Sequence, residues 1–309
     1  GFASYLWSDG SINQTLSAIT AGTYRVTGTD VNGCEASDSM VIDVLTVDIT
    51  QNDTTICEGQ TITLSAINNM SETNVTQTMY LVPSEYATIQ LAIDAASNGD
   101  TIYVSNGTYI ENINFNNKEL NLIGQNRENT IIDGNQNGSV VTMYQNSLIK
   151  GFTIQNGTGQ FVGQFIYGGG VYAPYNSCII NDCRIKDNIM PTIAESRGGG
   201  VSGGILYNCI IENNYANSRG SAVRVAELYN CQVINNSGVW ALDKCQIENC
   251  LVADNNLGVR YYVGGPNRYD IINSTIVNNN VGIEMSDCDS VNLINSIVSN
   301  NTTNIKFGY

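Results

Sequence analysis

The chain contains no histidine, which removes the usual general base near neutral pH, the histidine-paired nucleophile and the commonest zinc ligand. Any catalysis must therefore use carboxylates, Arg, Lys, Tyr or a bound cation. The side chains best suited to recognition are an interleaved aromatic and basic set: Tyr172, Arg224, Trp240, Arg260 and Glu284, with Tyr262 beside Arg260. Each of the first five follows a member of a row of apolar residues at Val171, Val223, Val239, Val259 and Ile283, with Val201 and Ser202 in the same pattern, so alternation turns them outward. Aromatic faces stack on sugar rings and guanidiniums grip carboxylates or sulfates, which makes an acidic polysaccharide the candidate ligand. Scattered aromatics on an ordinary strand face are the plainer alternative.

Two smaller patterns have chemical content. Asp133, Asn135 and Asn137 sit at positions one, three and five of a run with Gly138 at six, as in a calcium loop, but Tyr144 stands where such a loop needs Glu. An ordinary turn is the expected outcome, with calcium the alternative. Arg184 and Lys186 put two cations on one outward face, a pattern that can hold an acidic sugar.

The elements that must carry these residues come from a repeat. Seven segments begin at Ile149, Ile180, Leu206, Leu228, Ile247, Ile271 and Leu293, with spacings of 31, 26, 22, 19, 24 and 22 residues. A period near 22 with insertions confined to turns predicts a parallel β-helix with two short strands per turn, each coil stacking on the last at about 4.8 Å. Like residues then form ladders. Asn208, Asn230, Asn249, Asn273 and Asn295 are expected as buried amides bonding from coil to coil. Cys183, Cys209, Cys231 and Cys250 follow them as a small inward column that continues as Ser274 and Ser296, so filler is favoured over disulfide or metal. Outward from these columns Ile210, Ile234, Leu251, Val277 and Ile297 form a face apolar enough to predict a covered one, packed on a neighbouring domain or another copy of the protein.

Composition divides the chain. Asn occurs three times in residues 1–66 and 39 times in 67–309. Residues 1–49 read as the end of an immunoglobulin-like sandwich repeat, with Asn32-Gly33 as a hairpin turn, and 50–66 as the start of a second. Residues 67–79 form a linker and 80–309 the β-helix, which is expected to continue beyond the chain end. Ile89, Ala92, Ile93 and Ala96 make one helical stripe, predicting a capping helix over 84–98 with Ser84 at its start and Asn98-Gly99 at its end. Cys34 and Cys57 are candidates for a disulfide, Cys34 alternatively bridging to sequence upstream.

With 13 basic and 28 acidic residues the net charge is -15, which repels nucleic acid and anionic lipid. No apolar run approaches the roughly 20 residues needed to cross a bilayer, so no membrane insertion is expected in this segment. Polarity drawn from amides and hydroxyls, with only 13% charged residues, fits an all-β extracellular protein.

The run YATIQLAIDAASNGDTIYVSNGTYIENINF, followed by IIDGN and the Asn/Cys repeats, resembles the pectin-lyase-like right-handed parallel β-helix proteins over residues 80–309. That family includes lyases, polygalacturonases, methylesterases, epimerases and adhesins with no catalysis. Of the polygalacturonase pattern only Arg184 and Lys186 match, and the required histidine cannot be supplied. The carboxylate cluster that holds calcium in the family's lyases is not visible either. The N-terminal runs YLWSDGSINQTLS, GTYRVTGTDVNGCEASDSMVI and DTTICEGQTITLSA resemble immunoglobulin-like repeats of giant Bacteroidetes cell-surface proteins exported by the type IX pathway. The tripeptides at Asp38, Asp53, Asp100 and Asp289 resemble that phylum's O-glycosylation motif.

The expectation is an all-β cell-surface adhesin or appendage segment, a rigid rod that contacts copies of itself, neighbouring domains, surface glycans or another cell. The alternative is an exported lyase or epimerase, or a glycan-binding module, for acidic polysaccharide. No cofactor is expected beyond the calcium candidate.

Overall fold

The computed structural model describes residues 4–8, 11–13, 22–31, 35–42, 47–49, 66–68, 79–262, 268–286 and 290–308. The candidate pair Cys34 and Cys57 lies outside the described residues. Two compact units are present, Gly1–Thr76 and Gln77–Tyr309. In the first, Ser4–Trp7, Gly22–Thr29 and Glu35–Ile42 form an antiparallel sheet, with Thr29 opposite Glu35, and the turn predicted at Asn32-Gly33 lies outside the described residues. Val47–Ile49 pairs with Ala66–Asn68.

The second unit is a right-handed parallel β-solenoid. Each coil contributes to three sheets, of ten, nine and nine strands, rather than to the two that the repeat suggested. The difference lies in the repeated segment itself: LYNCIIENN is two strands, Ile205–Tyr207 and Ile210–Glu212, bent at Asn208. The strands are short because each flat side of the coil is only three or so residues wide. Inward residues repeat along the axis, Ile180, Leu206, Leu228, Ile247 and Ile271 in the first sheet and Ile185, Ile211, Val233, Val252 and Ile276 in the second, all buried. Val171, Val201, Val223, Leu242, Val259 and Ile283 form the corresponding row of the third.

The helix is shorter than predicted, Ile89–Ala95, and Thr88 rather than Ser84 caps it, its hydroxyl accepting from the Leu91 amide at 3.2 Å. Residues after Pro83 form a turn instead, with the amides of Glu85 and Tyr86 both donating to the Leu81 carbonyl. Glu111 accepts from the amides of Ile89 and Gln90, satisfying the helix's open first turn from the body of the solenoid. The predicted stripe of Ile89, Ala92, Ile93 and Ala96 is buried and closes the end of the core.

A buried asparagine ladder is present, but in a different column from the one expected. Asn208, Asn230, Asn249, Asn273 and Asn295 are exposed and hold left-handed backbone conformations, φ between 48° and 56°, at the corner between the first and second sheets. Asn tolerates that conformation better than other residues with a Cβ, and Gly151 takes the same place in an earlier coil. The buried ladder is Asn188, Asn214, Asn236, Asn255 and Asn279, one residue past the next corner, and half-buried Asn301 continues it. In it Asn214 Nδ2 donates to Asn236 Oδ1 at 3.1 Å and to the Ile185 carbonyl at 3.0 Å, while the Asn214 amide donates to the same Oδ1. Each side chain thus satisfies backbone groups that no sheet reaches.

The cysteine column does comparable work at the first corner. Cys183, Cys209, Cys231 and Cys250 are buried and free, and the Sγ of Cys209 donates to the carbonyl of Ile180 in the preceding coil. Burial pushes the Cys183 thiol up to about 12.

Candidate functional site

The third sheet bears most of the candidate recognition residues on its outer face. In parallel register the outward column runs Tyr172, Ser202, Arg224, Asp243, Arg260, Glu284 and Lys306. Trp240 is not in it. Its own strand, Trp240–Asp243, places Leu242, not Val239, in the inward row, so Asp243 takes the outward position and Trp240, only 6% exposed, pairs with Leu257. The spacing to the cysteine column carried the signal: Val201 to Cys209, Val223 to Cys231 and Leu242 to Cys250 are all eight residues, whereas Val239 to Cys250 is 11.

Beside this face stands a small sheet that sequence reasoning missed. An excursion folds back as the antiparallel strands Gln160–Val162 and Phe165–Tyr167, and Ser196–Arg197 adds to it in parallel. Arg219 extends the row by a bridge to Arg197. Ile166, Met190 and Ala216 give the small sheet its own buried cluster. The chain passes from it to the third sheet through Gly168-Gly169-Gly170, Gly198-Gly199-Gly200 and Gly220-Ser221-Ala222. Gly169 has to be glycine, because a Cβ there would lie 2.1 Å from the Gly199 carbonyl oxygen. Those runs were the available signal, since three small residues before Val171, Val201 and Val223 mark a tight corner that returns the preceding side chain beside the sheet face.

Cations and tyrosines converge at this junction. The Arg197 guanidinium carbon lies 3.3 Å from the centre of the Phe165 ring, and its Nη1 donates to Tyr167 Oη at 2.9 Å. Tyr167 packs on Tyr172 with ring centres 5.8 Å apart, and Arg224 reaches toward the Tyr167 ring at 5.8 Å. Tyr262 is surrounded by Lys244 at 3.9 Å and by Arg219 and Arg260 at 5.0 Å each, and its hydroxyl accepts from Arg219. Asp243 lies among them with 1% of its side chain exposed, its Oδ2 3.6 Å from Arg224 Nε and 3.4 Å from Tyr262 Oη. Glu284 pairs with Arg260 at 3.6 Å and Lys306 at 3.1 Å.

Burial raises Asp243 above the ordinary carboxylate value, outweighing the pull of Arg224, Arg219, Arg260 and Lys244 in the other direction. Burial likewise raises the Tyr262 phenol, with Asp243 adding to the effect, and lowers Lys244. Arg197, Arg219, Arg224, Lys244 and Arg260 are five of the chain's 13 Lys and Arg residues, gathered on a molecule of net charge -15. Such a focus attracts anions locally whatever the overall sign, and guanidinium forks suit carboxylate and sulfate.

The other predicted positions are placed as follows. Ile210, Ile234, Leu251 and Val277 are outward and half-buried on the second sheet, and Ile297 is 57% exposed. Arg184 on the same face pairs with Glu128 and Glu212, and Lys186 with Asp187. Asp133 and Asn135 form a turn in which the Asn135 amide donates to Asp133 Oδ1, while Gln155 and Asn156 donate to Oδ2. No group of three or more carboxylate or Cys side chains suited to a metal occurs among the described residues. A concavity on the first sheet is lined by Tyr229, Glu227, Gln246, Glu248 and Asp270. There the rings of Tyr207 and Tyr229 stack with centres 5.1 Å apart, and Tyr229 donates to Glu227.

The family model described as a right handed beta helix region matches residues 139–303. No curated protein matches the chain. Among solved structures it is similar to pectin methylesterase PemA from Erwinia chrysanthemi, at 14% identity and a TM-score of 0.40 over 70% of this chain and 80% of that one. It is also similar to pectin methylesterase from carrot, at 14% identity and a TM-score of 0.39 over 78% and 90% of the two chains. For the alginate lyase from Paenibacillus sp. str. FPU-7 the values are 11%, 0.37, 71% and 94%. None of these likenesses is close enough to carry a function across.

Proposed function

We propose that this chain, which belongs to the right-handed β-helix family, is an interaction protein that holds acidic polysaccharide on the outer face of its third sheet. One observation carries the reading: Arg197, Arg219, Arg224, Lys244 and Arg260 meet Tyr167, Tyr172 and Tyr262 where the third sheet and the small sheet adjoin. The solenoid keeps these side chains on successive rungs, so the ligand that uses them best is itself extended and repetitive, with an anion at intervals along a chain of rings. A polyuronate or a sulfated glycan has that form. The role is binding rather than turnover, and display at a cell surface, with the N-terminal strands as part of a stalk like the immunoglobulin-like repeats they resemble, completes the proposal.

Titration calorimetry with oligogalacturonate, a sulfated oligosaccharide and a neutral glucan tests it. The acidic ligands should bind and the neutral one should not, and the double variant Arg224→Ala, Arg260→Ala should lose the binding while keeping its circular dichroism spectrum. Release of unsaturated uronate ends would replace the binding role by a lyase.

Self-association along Ile210, Ile234, Leu251, Val277 and Ile297 is the second reading. Its support is the apolar character of that outward face, all five of whose named side chains keep solvent contact. A monomer by light scattering at all concentrations would remove it.

A further inference from the structure

We infer that Asp243 is the built-in counter-ion of the third-sheet face, competing with an incoming anion for the same cations, so that the face binds an acidic glycan more tightly when Asp243 is neutral. The inference rests on the glycan-binding reading above and adds its regulation. Asp243 occupies the outward rung between Arg224 and Arg260 and is almost fully buried there. The groups that face it are Arg219, Arg224 and Arg260, Lys244 next in the chain, and the Tyr262 hydroxyl, with Arg197 and Tyr167 beyond them on the small sheet. The neighbouring Cys245 thiol, pushed up to about 12 by burial, does not titrate in the range concerned.

The contact between Asp243 and Arg224 is close in charge but poor in hydrogen bonding. At 3.6 Å the Nε to Oδ2 separation exceeds the roughly 2.7–2.9 Å of a charge-assisted hydrogen bond. Asp243 Oδ1 and the Nε atoms of Arg224 and Arg260 are buried without a hydrogen-bond partner. The carboxylate therefore neutralises these cations without being hydrogen-bonded to Arg224, and a ligand anion offered to the same guanidiniums meets a rival held by charge and by one long hydrogen bond from Tyr262 Oη, 3.4 Å. Two anions at one set of cations repel each other, so binding the second favours protonation of the first. Linkage makes the effect reciprocal: a proton on Asp243 tightens the ligand by the same factor. The burial that already raises Asp243 brings its titration toward accessible pH. Asp243 is neutral below its pKa, so affinity rises as pH falls through that value.

The probe is a dextran sulfate oligosaccharide, whose sulfates stay ionised, titrated into the intact chain by calorimetry between roughly pH 8 and pH 5 in buffers of different ionisation enthalpy. The wild type should tighten by about fivefold or more over that range and take up protons on binding. Asp243→Asn should bind more tightly than the wild type at the high pH, with a flat profile. A wild type that binds with no pH dependence and no proton uptake overturns the inference and leaves the glycan reading standing. No binding by either protein at any pH overturns both. Proton uptake is measured on the wild type alone, so the test does not depend on the variant's folding.

Discussion

Asp243 follows Arg224 by one coil in the parallel register of the third sheet, with 3.6 Å between Oδ2 and Nε. The relationship recurs along the column: Arg224, Asp243, Arg260, Glu284 and Lys306 alternate in sign from rung to rung. Stacking like residues is the ordinary habit of a solenoid, and for charges it is repulsive. Alternation lets the molecule keep several cations on one face without that penalty.

Glu284→Lys tests the alternation, because it would put three cations on consecutive rungs, Arg260, position 284 and Lys306. Thermal unfolding should show a lower midpoint than wild type, partly recovered by salt, which screens exposed charge. An unchanged midpoint at low salt would mean that the column's charges do not influence one another.

The buried amide ladder predicts a contrast between two asparagines of one coil. Asn236→Ala leaves the Asn214 amide and side chain without their acceptor and should cost about 1–3 kcal/mol in urea unfolding. Asn230→Gly, at an exposed left-handed corner with φ 56°, should be tolerated with little loss. Equal losses at the two positions would contradict the assignment of the ladder.

Asp133 gives a pH dependence of stability. Burial acts to raise its pKa, but hydrogen bonds from Gln155, the Asn135 amide and Asn156, with the Lys186 charge, outweigh that and lower it. A depressed carboxylate stabilises the fold above its unfolded pKa and loses that contribution as pH falls through the folded value. The midpoint difference between wild type and Asp133→Asn should accordingly be largest near neutrality and shrink below about pH 4. A difference independent of pH would show that the carboxylate's charge plays no part in the turn.

The solenoid was legible because its signal is redundant: the inward Ile, Leu and Val columns, the Cys column and the Asn corners keep one register with one another in every repeat. The division of labour between neighbouring asparagines was not. In IENNYAN both Asn213 and Asn214 follow an apolar run, and only the backbone decides that Asn213 turns the corner at φ 55° while Asn214 goes inside. The face itself was partly legible. Tyr172, Arg224 and Arg260 share one outward column, as their positions after the apolar row imply, and Trp240 is displaced because GVWAL offers two small-plus-apolar pairs, of which the coil uses Ala241-Leu242. Arg197, Arg219, Phe165 and Tyr167 could not be read from any strand period. They belong to an excursion whose place beside the third sheet is set by glycine corners, and glycine runs announce a bend without giving its direction.

The most direct test is the affinity of the intact chain for a sulfated oligosaccharide, measured by calorimetry in wild type and in the Arg224→Ala, Arg260→Ala variant at two salt concentrations. Saturable binding that weakens with salt and falls at least about tenfold in the variant is the predicted result. Wild-type binding that survives the double substitution unchanged, or its absence at low salt, would contradict a third-sheet face built to hold acidic polysaccharide.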